Sequence, residues 1–136
     1  MREAFRAAIF HCLDDPGESG RADCGEYFDD GILIVENGIG VEAGPAAAIA
    51  DKLGETPLTE LGNKLILPGL VDCHVHFPQL DIIASYGEQL LDWLERYAYP
   101  AEMRFADVDH AREAAAFFLD ELLANGTTTA AVFATV

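Results

Sequence analysis

The order strand, long excursion, helix, strand over residues 70–136 constrains this chain more than any other feature. LVDCHVH (residues 70–76) is apolar on one parity, at Val71, Cys73 and Val75, and polar on the other, at Asp72, His74 and His76. A period of two predicts a strand, with His74 and His76 on one face and their Cα atoms about 6.5 to 7 Å apart. Some thirty residues follow, punctuated by Pro78, Gly87 and Pro100, and within them EQLLDWLERY (88–97) repeats Leu90, Leu91, Leu94 and Tyr97 at helical spacing. Next, Asp107 or Asp109 can cap a helix whose apolar stripe is Ala111, Ala114, Ala115, Phe118, Leu122 and Leu123. Arg112, Glu113, Asp120 and Glu121 fall on its other side, and Asn125-Gly126 ends it. TTTAAVFATV (127–136) then reads as a second, largely apolar strand. Such a βαβ unit makes the two strands parallel, with their loops on a common edge. Parallel strands buried on both faces need neighbours. The expectation is therefore that the sheet is truncated here and finished by residues beyond Val136 or by another polypeptide.

The first 66 residues read as part of a small β domain, with residues 67–136 as a second domain opening at Pro68-Gly69. In GILIVENGIGVEAG, β-branched residues flank Asn37-Gly38, the pair preferred where both turn positions need positive φ, and predict a hairpin. AAAIADKL predicts a short helix. PLTELGNKLILPG suggests two short strands around Gly62-Asn63. FRAAIFHCL (5–13) suits a first strand, with a short helix as the alternative.

Composition narrows the functions. Apolar residues make up 51% and no run of 18 apolar residues occurs, so no membrane span is expected. Twenty-four acidic against eight basic residues leave −16, a field that repels nucleic-acid polymers and anionic lipid surfaces. Cys12, Cys24 and Cys73 are odd in number and fit no zinc-ribbon spacing. Together with the missing apolar core of a secretion signal, they predict reduced thiols and a cytoplasmic protein.

Two histidines on one strand face can offer their nitrogens to one cation. A lone histidine is more often a packing residue, and His11 and His110, without partners at ligand spacing, are read that way. Asp72 shares the histidines' face and can hold the strand end or orient a ligand. Deaminases built on H-x-E with P-C-x-x-C are excluded, because no Glu follows His74 by two and that cysteine pair is missing. A catalytic zinc takes three protein ligands, so the active constellation is expected to be finished by residues beyond Val136.

PGLVDCHVHFPQ resembles the first barrel strand of the amidohydrolase superfamily, and HFPQLDIIASYGEQLLDWLERYAYPAEMRF with NGTTTAAVFATV is similar to its guanine deaminases, N-terminal portion only. The resemblance runs from about Tyr27 onward. It implies an α/β chain: a partial (β/α)₈ TIM-like barrel, first two strands only, preceded by part of a small β-sandwich domain. His74 and His76 would be metal ligands for zinc, with iron as the other candidate. Gln79 would bind the substrate, a small purine base, guanine. A carboxamide suits this because it offers a donor and an acceptor side by side. Trp93, Tyr97 and Tyr99 would form a lid. The implied reaction, part of purine catabolism, is hydrolysis of guanine to xanthine and ammonia by metal-activated water. This segment alone would be inactive, and a homodimer is the assembly to test. The competing readings are another purine, pterin or triazine deaminase, and a non-catalytic fragment that pairs through its strand edges.

Overall fold

The computed structural model describes residues 1–18, 20–87 and 89–135, and the chain divides into two compact units, Met1–Pro68 and Gly69–Val136. The first unit is one four-stranded sheet in the order β3-β2-β1-β4. Its strands are β1 (Arg2–Cys12), β2 (Gly25–Glu36), β3 (Ile39–Pro45) and β4 (Leu58–Ile66), with helix α1 (Ala46–Ile49) between the last two. The hairpin stands where Asn37-Gly38 placed it: φ is 53° at Asn37 and 84° at Gly38, and β2 pairs antiparallel with β3. Met1 is tied to this turn, its amine donating to Asn37 Oδ1 at 2.6 Å. Ala4, Ile32 and Ile34 of the sheet pack with Ala46 and Ile49 of α1. Fully burying an isoleucine contributes about 1.5–3 kcal/mol, so Ile32 and Ile34 dominate this small core.

Two local readings are settled or corrected here. Residues 5–12 are strand, not helix, and the strand stops one residue short of Leu13, because β1 is a central strand paired with β2 on one side and β4 on the other. PLTELGNKLILPG forms one strand rather than two. β4 runs parallel to β1 both before and after Gly62, pairing Arg6 with Glu60 and then Ala8 with Leu65. Gly62 adopts φ 66°, so the glycine supplies an outward bulge, and the chain resumes its direction instead of reversing. Across this sheet Arg6 binds Asp30 through Nε (2.6 Å) and Nη2 (2.8 Å) and reaches Glu60 through Nη1 (3.3 Å). The hydrogen bond from Arg6 holds the Asp30 carboxyl below its ordinary range, and Asp30 in turn holds the guanidinium protonated more firmly.

The second unit holds β5 (Leu70–His76) and β6 (Thr127–Phe133), paired in parallel with Leu70 opposite Thr127 and His76 opposite Phe133. Both strands leave apolar side chains exposed, among them Leu70, Val71, Val132 and Phe133. Between them lie a 3₁₀ turn (Phe77–Ile82), α2 (Leu90–Trp93), a π turn (Leu94–Ala98), α3 (Tyr99–Met103) and α4 (Val108–Ala124). Glu88, at the start of the expected helix, and Val136, at the end of the expected strand, lie outside the described residues. The helical run does not stop before Pro100. Proline occupies the first turn of α3, where its missing N–H costs little, and the wider π turn precedes it.

Asp107 is the cap of α4, its Oδ1 accepting from the backbone N–H of Asp109 (2.9 Å) and of His110 (3.3 Å). Gly126 closes the helix at φ 83°. Phe118 is buried, and Ala111, Ala114, Ala115 and Leu122 are half-buried beside it. Leu123 departs from the expected stripe at 62% exposure, because it sits on the flank turned away from Phe118. The architecture is α/β with open sheets.

Candidate metal and base site

The site grows from the C-terminal end of β5. Strand alternation sends His74 and His76 to one side, and their Nε2 atoms approach to 3.0 Å with ring centroids 4.9 Å apart. Two nitrogens about 2.05 Å from one tetrahedral cation would stand about 3.3 Å apart. The observed convergence fits a shared ion with little adjustment. Asp72 does not reach either imidazole: its Oδ1 accepts the backbone N–H of His74 at 3.0 Å, so it holds the strand end. Among the described residues no group of three or more His, Cys, Asp or Glu could hold a metal, so this pair is a partial ligand set.

Phe133 is the member of the site that sequence reasoning missed. It lies opposite His76 across the β5–β6 ladder, with its ring 4.4 Å from that of His74 and 5.1 Å from that of His76, nearly parallel to the latter. Stacking limits the rotamers open to both imidazoles. Only the parallel register of the two strands brings it there, and nothing in the local sequence signals that register.

Gln79 sits in the 3₁₀ turn three residues after His76, behind the buried Pro78. Its Nε2 donates to Glu102 Oε1 of α3 at 2.9 Å in a half-buried setting. A second bridge ties the same turn to the residue just after α3, Arg104 Nη1 donating to Asp81 Oδ2. Glu102 also lines a cavity of ≈ 480 Å³ with Tyr99, Met103, Ala106 and Thr135, the last just past β6. That volume suits a small ring compound.

The structure parts the three aromatics expected in the lid. Tyr99 faces the cavity beside Glu102, whereas Trp93 and Tyr97 line a separate hollow of ≈ 600 Å³ with Tyr86 and Arg96. Trp93 Nε1 donates to the Ser85 carbonyl at 3.2 Å. That hollow lies apart from Glu102, and neither hollow has His74, His76 or Gln79 in its wall. His11 pairs with Glu26 at 3.1 Å in the first unit. His110 packs edge-on to Phe105, its Nε2 buried without a hydrogen-bond partner.

A parallel strand pair joined through a long helical excursion, with two convergent imidazoles at the end of the first strand, defines a class. Residues 65–136 match the amidohydrolase family profile, and the chain belongs to that family. Over 94% of its length the chain is 41% identical to the guanine deaminase of Escherichia coli (strain K12), of which it covers 29%. A solved structure of the E. coli enzyme superposes with a TM-score of 0.91 at 37% identity, over 98% of this chain and 32% of that one. Guanine deaminase from Bradyrhizobium japonicum gives 0.90 at 36% identity, over 98% and 29%. Guanine deaminase from C. acetobutylicum, solved with guanine bound in its active site, gives 0.80 at 27% identity, over 99% and 30%. The chain thus spans about a third of the length of the relatives it matches.

Proposed function

We propose that this chain is the N-terminal portion of a zinc-dependent guanine deaminase, which hydrolyses guanine to xanthine and ammonia. The convergence of His74 Nε2 and His76 Nε2 at a strand end carries the reading. The names of the relatives, one of them solved with guanine in place, support the substrate. In this reading residues 1–66 belong to a small β-sandwich domain, and residues 67–136 open a (β/α)₈ barrel, which needs ~250 residues and keeps its site at the C-terminal ends of its strands. Further ligands and the proton-moving acids come from later strands. The strong negative charge suits a cytoplasmic enzyme acting on a small neutral base rather than on a nucleic acid.

Each residue of this segment has a task. His74 and His76 hold the cation through neutral imidazole nitrogens, and zinc suits such ligands better than calcium or magnesium does. The chemistry such a cation supplies when bound is acidification of water, to a pKa of about 7. Phe133 keeps both rings from rotating away. Asp72 fixes the backbone that carries them. Gln79 presents its amide to the purine edge, and Tyr99 offers a face for stacking beside Glu102.

The test uses the full-length protein purified without chelators. Elemental analysis should find about one zinc or iron per chain, and ammonia release from guanine should exceed that from adenine or pterins. Alanine at both His74 and His76 should remove the cation and lower turnover by at least ~10³-fold. An intact protein with no bound cation, or undiminished turnover in the double variant, would refute the reading. Preference for another ring would move the enzyme to a neighbouring deaminase specificity.

A further inference from the structure

We infer that Glu102 is a positioning residue that fixes which way the Gln79 carboxamide faces, and so fixes the order of donor and acceptor shown to the base. The inference deepens the proposed function and rests on its assignment of Gln79 to the substrate. A glutamine amide can flip by half a turn, exchanging oxygen for nitrogen with almost no change of shape. A carboxylate removes that freedom, because it only accepts. With Glu102 Oε1 2.9 Å from Nε2, the nitrogen must face α3, which leaves Oε1 and the second N–H of Gln79 for a ligand. That pair matches a purine edge on which a ring N–H lies next to an acceptor. The flipped amide would meet the same edge donor to donor and acceptor to acceptor.

Three features support a positioning task over simple bracing. The Arg104–Asp81 bridge already ties the 3₁₀ turn to the segment after α3, so Gln79–Glu102 is not needed to hold the two together. Glu102 lines the cavity with Tyr99 and Thr135, so the accepting end of the bond borders a space able to take a ring. Partial burial strengthens a charge-assisted hydrogen bond relative to one in bulk water. Without its partner, Gln79 would spread over both amide orientations and several rotamers. The competent fraction would fall to about a tenth, and apparent affinity would fall in the same proportion.

The experiment is a double-mutant cycle on guanine turnover in the full-length holoenzyme. Glu102→Met, which keeps length and removes the acceptor, should raise KM about tenfold, leaving kcat within about twofold and metal content unchanged. Glu102→Gln, whose amide both donates and accepts, keeps a partner for Gln79 but lets the pair flip together, so KM should rise about twofold, well short of the methionine variant. Should the methionine variant fail to fold, Glu102→Asp takes its place. Its carboxylate is withdrawn by one carbon–carbon bond of about 1.5 Å, and it must show part of the same rise. Gln79→Ala should raise KM by itself, and adding Glu102→Met to it should change nothing further. An equal rise from Glu102→Met with and without Gln79, or a loss confined to kcat, overturns the inference. A Gln79→Ala enzyme with unchanged KM overturns the assignment of Gln79 itself, and the inference with it.

Discussion

Gly69 precedes β5, and its replacement by alanine should disturb the histidine pair from a distance. A Cβ built there would stand 1.9 Å from Thr128 Oγ1, 2.5 Å from Cγ2 and 2.7 Å from Cβ. Turning χ1 of Thr128 can relieve one of the first two overlaps but not both, because its two γ heavy atoms share three staggered positions. The third is fixed by the backbone of β6. To restore an ordinary carbon–carbon separation of about 3.5 Å, the β5–β6 ladder must open by about 0.8 Å at its first rung. That rung includes the bond from Leu70 N to the Gly126 carbonyl at 2.8 Å. Overpacking of this kind costs about 1–3 kcal/mol. An opened ladder also shifts Phe133 against His74 and His76, and a displacement approaching 1 Å can cost up to ~100-fold in rate. Gly69→Ala should therefore lower the urea midpoint of the full-length protein by an amount worth about 2 kcal/mol and slow ammonia release about tenfold, the strain relaxing along five residues of strand. Thr128→Gly removes all three overlapping atoms, so in that background Gly69→Ala should be nearly neutral in both assays. Equal losses with and without Thr128, or no loss at all, would refute the reasoning.

Two further outcomes concern stability. Asp107→Ala leaves the N–H groups of Asp109 and His110 without their acceptor and should cost about 1 kcal/mol by urea unfolding, with no change in metal content. Asp30 has its pKa lowered from 3.8 by Arg6, so its share of stability is complete above that pH and is lost as pH falls through the lower folded value. Asp30→Asn should therefore lower stability at pH 7 and converge with the parent as pH falls below about 4, which flattens the acid limb, and salt should shrink the difference at pH 7, since both groups are solvent-accessible.

What the sequence disclosed depended on how local the cause was. β5 was legible to the residue because Pro68-Gly69 marks its start and strict alternation marks its body. Asn37-Gly38 announced its hairpin for an equally local reason, the positive φ of both residues. Gly62-Asn63 misled because a left-handed glycine serves a bulge as well as a turn, and only the parallel pairing with β1 decides between them. The apolar stripe of α4 was right at Phe118 and wrong at Leu123, because periodicity names a face but not its width. The paired histidines of the site came from spacing alone. Phe133 and Glu102 did not, for each reaches the site through a neighbour far along the chain, one across a ladder and one from another helix.

The π turn over Leu94–Ala98 has a consequence for the side that meets the Gln79 amide. A turn closed five residues apart uses one residue more than α geometry, and each residue advances a helix by about 100°. Everything after it is re-aimed by that angle. Had the run from Leu90 stayed α throughout, the position now held by Glu102 would have gone to Ala101, whose side chain has nothing with which to accept a hydrogen bond from Gln79. One widened loop of backbone thus chooses which letter of YPAEM confronts the amide.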